Sequence, residues 1–133
     1  MYEVTINRAR RTILFRATGT LTIDELRKIL EEAKRATNGF RGEPHVVLAD
    51  MRGIATLSPE GAAIFSEVIR YGRSRGTVCC VHLSDSSVAR LQANRLAREV
   101  SPYDDITVNV VSIEEAERVI EEKLEKLHPP KAG

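Results

Sequence analysis

The sequence predicts an α/β fold with a mixed, largely parallel sheet of about five strands and helices packed on it. Strand-like and helix-like segments alternate in the order β-β-α-β-α-β-α-β-α. Two central runs, HVVLAD (45–50) and GTVCCVHL (76–83), are continuously apolar, as is typical of strands covered on both faces. Right-handed crossover connections are expected between the parallel strands.

The first two strands predict an antiparallel hairpin at the N-terminus. YEVTIN (2–7) alternates apolar and polar residues, and TILFRATG (12–19) follows after a turn that carries Arg8, Arg10 and Arg11. This basic turn is interpreted as a solvated charged turn, with contact to phosphates or an acidic partner as the alternative. Aromatic residues that would stack on bases are missing around it, so nucleic acid is not expected as a partner.

The helices are predicted from their end signals. Thr22 is placed as an N-cap with Glu25 closing a capping box and Leu21 stapling onto Leu26, and Asn38-Gly39 ends this helix. The second helix begins with Ser58 as N-cap and Pro59 at the first helical position. The third follows SDSS and runs through Val100. The strand DITVNVV (105–111) precedes a fourth helix whose capping box is Ser112 and Glu115.

Length and composition favour one domain, residues 1–127, followed by a disordered tail, 128–133. The net charge of +1 indicates no general attraction to nucleic acid or membrane. No apolar run approaches the roughly 20 residues of a membrane span, and a cytoplasmic location is expected. The only cysteines, Cys79 and Cys80, are adjacent and predict no disulfide, which suits a reducing compartment.

The stretch VVLADMRGIATLSPEGAAIF (46–65) holds the candidate site, because ligands and partners of open α/β sheets lie beyond the carboxyl ends of the strands. Asp50 ends a strand, where it either bonds the amides of the following turn or serves a metal or phosphoryl group. Ser58 is interpreted first as a helix cap. A phosphate on Ser58 would also suit a helix N-terminus, and Thr56 is the rival acceptor.

Other reactive side chains predict little chemistry. Cys79 and Cys80 point to opposite sides of a strand, so at least one is buried and behaves as a small hydrophobe. His45, His82 and His128 lack the spacing of zinc ligands, and no metal is predicted. Phosphate-binding glycine motifs and a G-x-S-x-G elbow are absent from the sequence, so no cofactor is predicted.

Three stretches together resemble the STAS domains, which include the bacterial anti-sigma-factor antagonists (SpoIIAA-like proteins) and the cytoplasmic tails of sulfate transporters. They are TGTLTIDELRKIL, VVLADMRGIATLSPEGAAIF and GTVCCVHLSDSSVARLQ, in the same element order, and the resemblance covers about residues 2–125. The chain is most similar in character to stand-alone bacterial proteins described as STAS or SEC14-like.

The resemblance also has implications for the loop before the second helix. In the antagonists an Asp-Ser-Ser-Gly pattern lies here, and a partner kinase phosphorylates the first serine. Matching on Gly61 puts Ser58 at the aspartate, Pro59 at the acceptor serine and Glu60 at the second serine. The acceptor is then missing, whereas a slip of one residue puts Ser58 at the acceptor and breaks the glycine match.

The resemblance implies a non-catalytic regulatory module that binds another protein, such as an anti-sigma factor or a kinase, through the loop and helix around residues 52–65. The predicted contact residues are Asp50, Arg52, Thr56, Ser58, Pro59, Glu60 and Gly61. The alternative is a carrier of a small apolar or lipid-like ligand between sheet and helices.

Two further hypotheses concern catalysis and self-association. An enzyme is the third functional possibility, and it requires Asp50, Ser58, His82 and Asp85 to converge at one end of the sheet. A homodimer through the Val110-Val111 edge or the second helix is also left open.

Overall fold

The structure is a computed structural model that describes residues 1–100 and 106–127, apart from the side chain of residue 89. Its elements follow the predicted order: β1 (Tyr2–Asn7), β2 (Thr12–Ala17), α1 (Ile23–Asn38), β3 (His45–Asp50), α2 (Pro59–Ser74), β4 (Thr77–Leu83), α3 (Ser87–Val100), β5 (Thr107–Val110) and α4 (Ile113–Leu127). The predicted tail, 128–133, lies outside the described residues.

The five strands form one mixed sheet in the order β1-β2-β3-β4-β5. β1 and β2 pair antiparallel as a hairpin, and β2, β3, β4 and β5 pair parallel. The predicted fold class is therefore confirmed. The four parallel strands are adjacent in sequence order, which the sequence pattern did not specify.

The order of the strands explains how the helices are distributed. Parallel strands that follow one another in one direction, joined by crossovers of the same hand, place their connecting helices on the same face of the sheet. Accordingly, α1, α2 and α3 pack on one face, in a core that includes Phe15, Ala49, Leu26, Phe65 and Leu96. On the opposite face α4 packs in a second core, which includes Val46, Leu48, Val81, Leu83 and Ile120.

The local signals of α1 act as predicted. Glu25 donates its amide to Thr22 Oγ1 at 3.1 Å, and Thr22 donates its amide to Glu25 Oε1 at 3.0 Å, which completes the capping box. Leu21 and Leu26 share the core under α1. The helix ends at Asn38 as predicted, but Gly39 has right-handed backbone angles instead of the left-handed cap that glycine favours.

The C-terminal elements differ in detail from the prediction. The last strand comprises Thr107–Val110; of the predicted 105–111, residues 106 and 111 are outside the strand and residue 105 lies outside the described residues. At the start of α4, Ser112 Oγ accepts the amide of Glu115 at 3.2 Å, whereas the Glu115 carboxylate reaches the amide of Val111, not that of Ser112. Among residues 1–100 and 106–127, no helix has the length and apolar character needed to cross a bilayer.

The basic turn between β1 and β2 is bound to neighbouring elements. Arg10 donates from Nη2 to Glu117 Oε2 at 2.8 Å and to Glu121 Oε1 at 2.7 Å, both on α4. These hydrogen bonds raise the pKa of the Arg10 guanidinium. Arg8 donates to the carbonyl oxygen of Gly39 at 3.0 Å. This turn therefore connects the hairpin to α1 and α4, and its arginines already have partners.

Candidate functional site

The candidate site is the β3–α2 loop, residues 51–58, together with Asp50 before it and the first turn of α2 after it. Backbone hydrogen bonds attach this loop to its surroundings. Met51 donates its amide to the Leu83 carbonyl at the end of β4, at 2.8 Å. Gly19 donates to the Gly53 carbonyl at 2.8 Å, and Ala55 donates to the Gly19 carbonyl at 3.0 Å. These bonds hold the first half of the loop.

Two polar side chains from the β4–α3 region hold the loop from the other side. The Gly53 amide donates to Asp85 Oδ1 at 3.2 Å, and Gly53 has φ +79, a left-handed conformation that favours glycine. Gln92 on α3 accepts the Leu57 amide at 3.4 Å and donates to the Leu57 carbonyl at 3.5 Å. The loop is consequently fixed both by a residue that precedes it in the chain, Gly19, and by residues that follow it, such as Asp85 and Gln92.

Asp50 is buried and bound by two arginines. Arg52 donates from Nε to Asp50 Oδ1 and from Nη2 to Oδ2, each at 2.9 Å, which is a bidentate pair. Arg16 on β2 donates from Nε to Oδ2 at 3.3 Å, and the backbone amide of Arg52 reaches Oδ1 at 3.3 Å. The Asp50 side chain is 4% exposed, while those of Arg16 and Arg52 are 49% and 45% exposed.

These contacts determine the charge of the Asp50 carboxyl group. The Arg52 hydrogen bonds hold the pKa of the Asp50 carboxyl below its usual value, and the same bonds raise the pKa of Arg52. Asp50 is therefore an ionised structural anchor. It accepts one backbone amide of the turn after β3, as predicted, but its other donors are the side chains of Arg52 and Arg16, which the prediction did not include. Its oxygens accept hydrogen bonds from arginine and amide donors, and the two arginine side chains that bind it are each about half exposed.

The start of α2 is fixed by Ser58 and Gly61. Ser58 Oγ accepts the Gly61 amide at 3.1 Å, and Pro59 occupies the first turn, so the predicted N-cap is confirmed. Gly61 is buried against α1, and a Cβ added there would lie 2.9 Å from Leu26 Cδ1. Glycine at this position thus allows the helix start to approach α1 closely.

The outer side of the site is open to solvent. Thr56, Ser58, Pro59 and Glu60 are all exposed. Glu60 lies 3.5 Å from Arg27 of α1, and both side chains are well exposed. The predicted contact residues thus divide into a buried set that positions the loop, Asp50 and Gly61, and an exposed set that faces solvent.

The four residues of the enzyme hypothesis do not converge. In the register of β3 and β4, Ala49 lies opposite His82 and Asp50 lies opposite Leu83, so Asp50 and His82 point to opposite faces of the sheet. Asp85 holds the Gly53 amide, and Ser58 caps α2. Within the described part of the chain, no three metal-ligating side chains come together as a possible ion site.

An apolar cavity lies on the α2 and α3 side of the sheet, where the ligand-carrier hypothesis would place its ligand. Its volume is about 70 Å³, and its walls come from β2, β3, β4, α2 and α3 and from the start of β5. An engineered cavity of about 150 Å³ admits benzene. A lipid chain would therefore require α2 or α3 to move away from the sheet.

Three residues of the site were not predicted as contacts within it. Arg16, Asp85 and Gln92 bind positions 34, 32 and 35 residues away in the chain, respectively. The sequence analysis named Asp85 only as one of the four residues of the enzyme hypothesis, and its acceptor role toward Gly53 has no local sequence signal. The carboxyl-end rule for open sheets could have suggested Asp85, whereas Gln92 lies inside an amphipathic helix and carries no such signal.

Over residues 1–100 and 106–127, four parallel strands and one antiparallel edge strand, with three helices on one face of the sheet and one on the other, define a STAS-like fold. The solved structure of the anti-sigma factor antagonist SpoIIAA in its unphosphorylated form is similar over 90% of this chain and 97% of that chain. The TM-score is 0.58 and the sequence identity is 16%. The chain therefore has a SpoIIAA-like fold, as its sequence resemblance implied. No protein-family model matches the sequence, and neither does any curated protein.

Proposed function

We propose that this chain is a non-catalytic regulatory module that binds another protein through the β3–α2 loop and the first turn of α2. The observation that carries the proposal is a loop anchored from both sides whose outer side chains are nevertheless exposed. Gly19, Leu83, Asp85 and Gln92 supply the anchoring bonds. A loop already held in one conformation loses little conformational entropy when a partner binds it.

The chemistry of the exposed surface indicates how a partner would recognise it. Arg52 and Arg16 present half-exposed side chains, while Glu60 presents a carboxylate in the first turn of α2. Opposite charges at defined positions fix the orientation of a partner more than they add affinity. An anti-sigma factor or a kinase is the proposed partner class, in line with the SpoIIAA-like fold.

The proposal includes a phosphate acceptor, Ser58 or Thr56. A phosphate on Ser58 would lie at the N-terminus of α2, where the helix dipole and first-turn amides favour negative charge. Ser58 Oγ already accepts a hydrogen bond from the Gly61 amide. Phosphorylation would replace this hydroxyl oxygen with phosphate oxygens as the acceptors at the same helix N-terminus. Thr56 is exposed within the loop and is the second candidate.

The partner proposal is tested by capturing the tagged protein from its own cells and then titrating the identified partner with purified protein. A Ser58→Lys/Glu60→Lys double variant is expected to stay folded, to lose about 1 to 2 kcal/mol of stability because the Ser58 cap is removed, and to lose binding. Glu122→Lys is the matched control, because Glu122 is exposed on α4 beside Glu121, which binds Arg10 in the β1–β2 turn at the opposite end of the parallel strands from the β3–α2 loop. Unchanged affinity in the double variant would refute the assignment of the loop.

The acceptor proposal has its own measurement. Mass spectrometry of peptides that contain Thr56 and Ser58, from protein isolated from its own cells with phosphatase inhibitors, is expected to show phosphate on one of them. Treatment with the purified partner kinase and ATP should then modify wild type but not a Thr56→Ala/Ser58→Ala variant. Absence of phosphate in both experiments would contradict the acceptor role and leave the binding role intact.

The ligand-carrier hypothesis is favoured by one observation, the apolar cavity beneath α2 and α3. Its volume limits an unshifted structure to molecules much smaller than a lipid. Native mass spectrometry of gently purified protein tests this function. A bound mass of lipid size would support it, and protein with its bare chain mass would count against it.

A further inference from the structure

Cys80 and His82 form a thiol–imidazole pair inside the molecule. Both lie on β4 and point to the face of the sheet that α2 and α3 cover, because they are two residues apart on one strand. The distance from Cys80 Sγ to His82 Nε2 is 3.1 Å, which is within hydrogen-bonding range for sulfur. Both residues line the apolar cavity.

The cavity limits what reaches this pair. Its walls near the sheet and α2 are mainly apolar and include Phe15, Val47, Phe65, Val68 and Ile69, and Arg73 of α2 also lines the cavity. An apolar wall favours an uncharged molecule, because a charged one would lose its hydration without compensation. A volume of about 70 Å³ is half of the roughly 150 Å³ that admits benzene, which suits a molecule of about three or four heavy atoms.

The neighbouring cysteine provides an internal contrast. Cys79 points to the α4 side, is 1% exposed, and has a pKa raised by burial, so it forms little thiolate. Cys80 is partly exposed and lies beside an imidazole. An imidazole within hydrogen-bonding distance of a thiol can accept its proton as the sulfur attacks a carbon atom. Only Cys80 combines access with a base.

We infer that Cys80 and His82 form a covalent capture site for small, uncharged α,β-unsaturated carbonyl compounds. The Cys80 sulfur forms a bond to the β carbon, and the electron pair of the carbon–carbon double bond moves toward the carbonyl. The thiol proton passes to His82 Nε2 and then to the α carbon. The product is a saturated thioether in which no group leaves and nothing is oxidised or reduced. This site is separate from the β3–α2 loop and does not depend on partner binding.

The first test treats the folded protein with an equimolar amount of acrolein, which has four heavy atoms, and follows the intact mass and the modified peptide. We expect one acrolein per chain, located on Cys80. Cys80→Ala should remove this adduct, whereas the matched Cys79→Ala should keep it. A maleimide coupled to a long polyethylene glycol should react at least tenfold more slowly, because the cavity excludes it. Adducts distributed equally between the two cysteines, or a rate equal to that of a short cysteine peptide, would overturn the inference.

The second test separates the role of His82 from simple exposure of the thiol. His82→Gln is expected to lower the acrolein rate roughly hundredfold or more, the scale of general-base assistance. Val68→Phe should block the reaction with acrolein by filling the cavity, although Cys80 and His82 are unchanged. This variant tests the site if His82→Gln does not fold. Wild-type rates in a folded His82→Gln or Val68→Phe protein would each contradict the site.

Discussion

Replacing Arg52 by alanine tests whether the buried carboxylate of Asp50 is what fixes the start of the β3–α2 loop. The substitution removes two donors at 2.9 Å from Asp50 and leaves Arg16 at 3.3 Å and one backbone amide at 3.3 Å. With Arg52 in place the Asp50 side chain is 4% exposed, so water reaches the carboxylate only through the opening that the removed side chain leaves. Removing one partner of a buried charge costs more than the pair contributes when intact.

The magnitude follows from the number and exposure of these bonds. A hydrogen bond to a charged group contributes roughly 1.5 to 3 kcal/mol, and partial exposure of the donor reduces that value. We expect Arg52→Ala to lower the free energy of unfolding by about 2 to 3 kcal/mol. Arg16→Ala is the matched control, because it removes one longer bond from the same carboxylate, and it should cost less than about 1 kcal/mol.

The assay is urea-induced unfolding of the three proteins at pH 7 and at pH values below 4. The pKa of Asp50 is lowered in the folded state, so the stability it supplies is present above its unfolded pKa of about 3.9 and is lost as pH falls through the folded pKa. The difference between wild type and Arg52→Ala should therefore narrow in acid. Equal losses in the two arginine variants, or a difference independent of pH, would refute this account of Asp50.

Three other outcomes follow from single contacts. Gly76→Ala should destabilise the fold by about 2 to 5 kcal/mol, because φ is +106 and a Cβ would lie 2.8 Å from the Gly42 carbonyl oxygen. Gly42→Ala, at φ +81 in open space, should cost only about 1 to 2 kcal/mol in the same denaturation assay. Burial lowers the pKa of His45 in the folded state, so the stability that this shift supplies is present above pH about 6.5 and is lost as the pH falls further. The free energy of unfolding should therefore change less between pH 7.5 and 5.5 in His45→Gln than in wild type. Ser58→Ala should cost about 1 kcal/mol by removing the α2 cap, whereas Ser58→Asp should keep it, as thermal unfolding would show.

Most of the elements could be predicted because their signals are local. The capping box of Thr22 and Glu25 and the Ser58 cap involve atoms three residues apart, so the sequence alone is sufficient to indicate them. The apolar runs of β3 and β4 indicated burial on both faces, and both strands lie inside the sheet. The exact end of β5 was predicted less well, because strand ends depend on which neighbour they pair with.

The candidate site was predicted only in part. Its position after β3 follows from the rule that open sheets carry their sites beyond the carboxyl ends of strands. The enzyme hypothesis required Asp50 and His82 to meet, and the strand register places them on opposite faces. That register is a property of the assembled sheet, since a shift of one residue would reverse the face of every side chain.

The sequence by itself determined the α/β class, the element order, the helix caps and the place of the β3–α2 loop. The tertiary structure alone decided the sequential strand order and the placement of α4 on the second face. It also decided the contacts of Arg16 with Asp50, and of Asp85 and Gln92 with the β3–α2 loop, all between residues more than thirty positions apart. The physical reason is the separation along the chain over which each kind of interaction acts. Propensity and capping act between residues a few positions apart, whereas partners distant in the chain meet only after the strands have paired and the helices have packed on them.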